Sequence, residues 1–207
     1  MDKFQHKYRI PSARLQNWDY GSNASYFVTI CTHNRVSYFG HTDNHKMALS
    51  ETGNIAQQYW LTIPTHFAFI ELGAFVIMPN HVHGILIFNK PENRQTAGHE
   101  NSGMNASNDI DGGLVETPKL GVSTRQTAAA SEKWKPGTLG VIINQYKRVV
   151  TINARKINSD FAWQSRFHDH IIRNNQSFQR ISNYIRNNPA NWENDQFNPF
   201  SNNAGKS

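Results

Sequence analysis

The amino-acid sequence predicts an α+β sandwich, an antiparallel sheet with helices packed on it, and three observations lead there. Short apolar segments rich in β-branched and aromatic residues occupy Tyr26–Thr32, Phe67–Met78, His81–Phe88 and Phe167–Ile172. Apolar residues at helical spacing fill stretches between and after them. The resulting order is strand, helix, two strands joined at Pro79-Asn80, helix, strand, helix, which is the order of a ferredoxin-like sandwich.

Taken in order, residues 1–24 form a polar, irregular arm containing Arg9, Arg14, Trp18 and Tyr20. The first strand sets Tyr26, Val28 and Ile30 on one face and Phe27, Thr29 and Cys31 on the other. Val36–Phe39 suggests a short return strand. Ser50 is a helix N-cap for a segment with Ile55, Ala56, Tyr59 and Ile63 on one stripe, and Pro64 stops it. The strand Phe67–Met78 is interrupted near Gly73 and continues through the turn into His81–Phe88. Residues from about 91 to 136 are rich in Gly, Ser, Asn, Thr and Ala and read as a flexible insertion, since the apolar patterns on either side are each incomplete. Thr138 then caps a helix whose stripe is Leu139, Ile142, Ile143, Tyr146 and Val150. A last helix spans about Ser177–Asn188 and is stopped by Pro189. The division is therefore an arm at 1–24, one domain at 25–192, and a disordered Asn-rich tail at 193–207.

The chain of 207 residues has a single cysteine, Cys31, so it forms no internal disulfide and offers no Cys-based zinc site. No apolar run approaches the roughly 20 residues that span a bilayer, and the first residues lack a signal-peptide core. A cytoplasmic protein without a membrane partner is expected. A net charge of +6 and a pI near 9.5 suit an anionic partner. The 12% of aromatic residues suits base stacking beside phosphate contacts. Lys147, Arg148, Arg155, Arg166 and Arg173 are the candidate DNA-phosphate contacts.

The chemistry concentrates at His81-Val82-His83. Strand alternation puts both histidines on one face with Ile85 and Ile87, and opposes them to Val82, Leu86 and Phe88. Two imidazoles about 6–7 Å apart along a strand can share a metal ion, although packed or surface histidines give the same pattern. On the last helix Phe178, Ile181 and Ile185 define the buried stripe. Tyr184 and Asn188 stand one turn apart on its flank, about 40° from each other around the axis. In isolation, a packing tyrosine and a helix-ending asparagine explain them equally well.

Taken together, Met78-Pro79-Asn80-His81-Val82-His83, Trp163-Gln164 and Asn183-Tyr184-Ile185-Arg186-Asn187-Asn188-Pro189 resemble the single-tyrosine HUH transposases. The likeness is strongest to their REP-associated tyrosine transposase branch, whose members are similar to insertion-sequence transposases. It spans about residues 24–90 and 137–192 and leaves the insertion unmatched. It implies an HUH endonuclease fold, in which His81 and His83 bind a divalent metal, Tyr184 is the nucleophile and Asn188 is the third ligand. Asparagine followed by proline, where mobile insertion-sequence relatives carry glutamine, favours the REP-associated branch.

The implied activity is transposase-like cleavage and joining of single-stranded or imperfect-hairpin, REP-like DNA. The protein would act as monomer or homodimer in a bacterial cytoplasm, associated with the nucleoid. Two imidazoles and an amide carbonyl form a mixed set that accepts Mg²⁺ or Mn²⁺, with Mn²⁺ the better match to imidazole. Two other readings compete. One is a domesticated hairpin-DNA binder without strand transfer, and the other is a small-phosphoester hydrolase with no covalent tyrosine adduct. A second pair, His168 and His170, departs from the compact family pattern and reads as a DNA contact, a competitor for metal or a solvated strand face.

The insertion is expected to be dispensable for folding, because doubling a loop's length costs only about 0.6 kcal/mol. Replacing residues 95–132 with a short Gly/Ser linker should leave a cooperative thermal transition. A variant that precipitates or melts far lower would place the segment in the core.

Overall fold

The computed structural model describes Leu15, residues 17–91 and residues 136–201, together with the backbone of a short antiparallel pair, β1 (Lys3–Phe4) and β2 (Lys7–Tyr8). Most of the predicted insertion, Arg9 and Arg14 of the arm, and residues 202–207 lie outside the described residues. Next come β3 (Ser25–Cys31), a 3-10 turn at His33–Arg35, β4 (Gly40–Asp43), β5 (Lys46–Leu49), α1 (Glu51–Leu61) and α2 (Ile63–His66). They are followed by β6 (Ile70–Met78), β7 (His81–Phe88), α3 (Leu139–Ala154), β8 (His168–Ile172), α4 (Asn175–Asn187) and a 3-10 turn at Pro189–Asn194.

The main sheet has the strand order β6-β7-β3-β8, and every neighbouring pair is antiparallel. Two crossover units, β3–α1–β6 and β7–α3–β8, interleave to give this order, so the fold is ferredoxin-like α+β. Strand alternation separates two apolar layers. Val82, Leu86 and Phe88 of β7 and Tyr26, Val28 and Ile30 of β3 pack with Trp60 of α1 and the Leu139, Ile142, Ile143, Tyr146 and Val150 stripe of α3. On the opposite face Ile85, Ile172 and Ile185 are buried together, with Phe27, Ile87, Phe178 and Ile181 around them. Helix α4 covers that second face, and β7 presents both histidines to it.

Two glycines allow close approach. Gly84 lets the Trp60 indole lie directly on β7, where an added Cβ would overlap the ring. At Gly73 the pairing moves by one residue, between Leu72↔Leu86 and Phe75↔Gly84. A Cβ at Gly73 would stand 2.8 Å from Cβ of Ile85. The resulting bulge keeps Val76 opposite His83.

Local chemistry explains the helix ends. Ser50 Oγ accepts from Gly53 N at 3.1 Å, and Asn174 Oδ1 accepts from Ser177 N at 2.8 Å, so α4 begins before the predicted Ser177. Pro64 does not stop α1, which ends at Leu61, but sits in the first turn of α2.

Two expectations are corrected. Val36–Phe39 is not a strand, and the return is made by the β4–β5 hairpin. Its tip, Asn44-His45, has positive φ at both residues (46° and 62°), the pattern of a two-residue primed turn. The tail from residue 193 is not frayed as far as Ser201, for Trp192, Asp195, Asn198 and Ser201 are buried. Asp195 Oδ1 accepts from Phe197 N at 2.7 Å and Asn198 Oδ1 from Phe200 N at 3.0 Å. Asn198 Nδ2 donates to Trp192 O at 3.1 Å. The asparagine-rich composition here builds successive side-chain-to-backbone turns. Among the described residues no helix is long and apolar enough to cross a membrane.

Gly84→Ala is expected to cost about 1–3 kcal/mol, because the new methyl must displace the indole of a closely packed core. Urea denaturation measures the loss, and an unchanged midpoint would contradict the packing.

Candidate active site

The site lies where β7, the start of the tail and the C-terminal half of α4 meet. His81 and His83 project from β7 onto the α4 face and are 0% and 1% exposed. Their ring centroids are 4.4 Å apart at 68°, closer than the backbone spacing alone requires.

Each side chain is held by partners that fix which atom faces inward. Asn80 Nδ2 donates to two carbonyls, Arg35 O at 3.1 Å and Phe197 O at 2.7 Å. Its Oδ1 is therefore the atom 2.9 Å from His81 Nδ1, and an acceptor there requires the His81 proton on Nδ1. His81 Nε2 is left with its lone pair, buried and without a hydrogen-bond partner among the described residues. Asn188 behaves in the same way. Asp195 Oδ2 can only accept, so Asn188 Nδ2 donates to it at 3.2 Å, and Asn188 Oδ1 is left buried and unpartnered. His83 Nδ1 lies 2.9 Å from Thr29 Oγ1, and its Nε2 lies 3.3 Å from the Tyr184 hydroxyl.

Tyr184 is 44% exposed and Asn188 1%, so the phenol reaches from solvent to the buried imidazole while the amide below it is sealed. The Phe27 ring packs edge-on to Tyr184 at 6.3 Å, and the Phe197 ring lies 4.6 Å from His81. Tyr184 meets the histidine of its own chain. The His81 and His83 rings thus adjoin, the Tyr184 hydroxyl contacts His83, and Asn188 lies one helical turn beyond Tyr184. The two atoms with no partner, His81 Nε2 and Asn188 Oδ1, fit a set of ligands to a divalent cation, each oriented by an outer partner. Among the described residues no group of three or more His, Cys, Asp or Glu is placed to hold a metal ion, so any metal here depends on the amide.

Electrostatics follow from burial. His81 is held well below the ordinary imidazole pKa, first by desolvation and then by the positive charges His83 and Arg35 would add. His83 is pushed down to about 3 by desolvation and next by His168, against a backbone hydrogen bond at Val28. Burial raises the Tyr184 phenol, Asp195 raises it further, and a hydrogen bond from Asn188 opposes both.

The sequence-predicted cations are scattered. Lys147, Arg148 and Arg155 belong to α3 and its end, in the layer on the opposite sheet face. Lys147 Nζ donates to Gln164 O at 2.6 Å and is lowered to about 8 by burial. Arg155 Nε donates to Phe161 O at 2.9 Å, and Arg148 is exposed. Arg166 is exposed just before β8, and Arg173 is exposed between β8 and α4. His168 and His170 share the sheet face of His83, since Thr29 pairs with both His83 and His168, and Phe27 with both Ile85 and His170. The sequence reading missed Asn80 and Asp195 as orienting groups. Asn80 stood directly before His81 but was taken only as a turn residue.

Fold and site define a ferredoxin-like α+β domain with a two-histidine sheet face beneath a tyrosine-bearing helix. No protein-family profile matches the chain. It is 36% identical over 186 residues to an uncharacterized protein of Haemophilus influenzae, covering 89% of this chain and 91% of the other, and belongs to the same family as that protein. Among solved structures it is similar to a REP-associated tyrosine transposase bound to a REP hairpin (TM-score 0.47, 13% identity, 88% of this chain and 74% of that one). It is also similar to a candidate transposase of Deinococcus radiodurans (TM-score 0.40, 12% identity, 87% and 97%).

Burying neutral imidazoles makes stability pH-dependent. Below about 6.5 the unfolded chain takes up protons that folded His83 refuses until about 3, so stability falls with falling pH across that window. Each such histidine contributes at most about 1.4 kcal/mol per pH unit. His81→Gln/His83→Gln should flatten the decline of the urea midpoint between pH 7 and pH 5, whereas a slope equal to that of the parent would contradict neutral burial.

Proposed function

We propose that this chain is a metal-dependent DNA strand transferase of the REP-associated tyrosine transposase kind, acting on single-stranded or imperfect-hairpin DNA. The observation that carries the reading is the Tyr184 hydroxyl 3.3 Å from His83 Nε2, together with the unpartnered His81 Nε2 and Asn188 Oδ1. The motif order in the sequence supports it independently.

In this reading the Tyr184 oxygen attacks the scissile phosphorus, the bond to the 3′ oxygen breaks, and the strand leaves as a 3′-hydroxyl. The new tyrosine–phosphate ester conserves the phosphodiester, so a second 3′-hydroxyl can displace the phenol and rejoin a strand without outside energy. Tyr184 alone is a poor nucleophile at neutral pH, since burial and Asp195 both hold its proton on. His81, His83 and Asn188 would hold Mg²⁺ or Mn²⁺, which supplies positive charge to the phosphate and to the ionising phenol. Asn80 and Asp195 keep the lone pairs of His81 and Asn188 directed at that position. The edge contact from Phe27 keeps the phenol above His83.

Labelled hairpin DNA incubated with the protein and Mn²⁺ should give a denaturation-resistant adduct that maps to residues 181–186. Tyr184→Phe should fold and bind metal and hairpin DNA normally, with neither cleavage nor adduct. His81→Ala and His83→Ala should each abolish Mn²⁺ binding, and Asn188→Ala should weaken it, because an amide oxygen is a poorer ligand than imidazole. Retained cleavage by Tyr184→Phe would leave the small-phosphoester hydrolase as the better account. DNA binding by the parent without any adduct would leave the domesticated binder.

A further inference from the structure

His170 of the second histidine pair and two arginines unused by this chemistry line one cleft. It has a volume of about 510 Å³, lies between the edge strand β8 and the first turns of α4, and includes His170, Arg173, Asn174, Ser177 and Arg180 in its lining. The cleft wraps round the edge strand, so Leu15, Tyr20, Asp169 and Ile171 line its other side, the last two on the opposite sheet face by strand alternation. Neither Arg173 nor Arg180 has a hydrogen-bond or ion-pair partner among the described residues, and both are exposed.

Two independent relations connect the cleft to Tyr184. Along α4, Arg180 stands four residues before Tyr184, one turn away on the same flank. Across the sheet, His170 is paired with Phe27, whose ring packs edge-on against Tyr184. His168, one alternation further along β8, is level with His83 across Thr29. Arg180 thus stands at the end of the cleft nearer Tyr184 along the helix, and Arg173 at the end of β8. Guanidinium groups present paired donors suited to phosphate oxygens.

We infer that this β8–α4 cleft is a backbone subsite, in which Arg173 and Arg180 grip DNA phosphates adjacent to the scissile one and lead a single strand to Tyr184. The inference rests on the strand-transferase reading and adds the path of the strand to it. It assigns the phosphate contacts near the site to Arg173 and Arg180 rather than to the cations of α3.

The test is binding of a fluorescent DNA hairpin with a single-stranded tail of about ten nucleotides, in a Tyr184→Phe background so that no strand is cut. Arg173→Gln and Arg180→Gln are each expected to flatten the slope of log affinity against log salt by about 0.7, and together by about 1.4. Lys156→Gln, the same charge change beyond the end of α3, should leave the slope alone. Replacing tail phosphates singly by uncharged methylphosphonates should weaken binding by the parent at one or two positions and have no effect there in the double arginine variant. A salt slope unchanged in the double variant, or identical methylphosphonate profiles, would overturn the subsite while leaving the Tyr184 chemistry standing. Failure of the parent to bind the hairpin would overturn both.

Discussion

The side-chain amide of Asn80 is the constraint on which the site depends. It donates to the carbonyls of Arg35 and Phe197, from segments far apart in sequence, and accepts from His81. The turn between β6 and β7, the loop after β3 and the start of the tail are thereby joined at one point. Thr32 reinforces the same junction by donating to Asn80 O at 3.0 Å, and the Arg35 guanidinium lies 4.7 Å from the centre of the Phe197 ring. Because both amide hydrogens go to carbonyls, the carbonyl end of Asn80 has only His81 left. A backbone arrangement thus determines the tautomer of a buried imidazole.

Burying such a group with its other nitrogen unpartnered is costly, about 1–3 kcal/mol for an unsatisfied polar atom. His81 Nε2 and Asn188 Oδ1 both incur that cost, and the folded domain tolerates it because apolar packing elsewhere is extensive. A structural explanation would expect each atom to find a partner, as Asn80 Nδ2 and Asn188 Nδ2 do. An unsatisfied acceptor on the sheet and another at the cap of α4, one turn from a half-exposed phenol, are what the metal-dependent reading proposed above would use.

Much of this was legible in the sequence because it follows from short periods. The alternation of His81, His83, Ile85 and Ile87 against Val82, Leu86 and Phe88 sets the two layers of β7, and the spacing of Leu139, Ile142, Ile143, Tyr146 and Val150 sets the buried stripe of α3. One helical turn between Tyr184 and Asn188 put both on the flank that now faces β7. What escaped was either polar or distant. The β4–β5 hairpin carries His41, Thr42, Asp43 and Lys46, with little apolar patterning, and its signal lay in the turn pair Asn44-His45. Asp195 sits in a segment whose composition resembles disorder, and its role depends on a partner that only tertiary structure supplies. Lys147, a phosphate-contact candidate in the sequence, is instead covered by the chain at Trp163-Gln164, which returns over it.

The two layers of the sheet are unequal in depth. The α1–α3 side holds a continuous apolar core, whereas beneath α4 the fully buried apolar contacts reduce to Ile85, Ile172 and Ile185. Helix α4 is therefore held by the smaller of the two buried apolar clusters, and it carries both Tyr184 and, at its cap, Asn188. Opening on that side can occur as a local event while β3, β7 and α3 keep the domain folded. On the reading proposed above the nucleophile is mounted on the layer with the smaller buried cluster, and amide protons of α4 are expected to exchange through partial openings that leave the other layer closed.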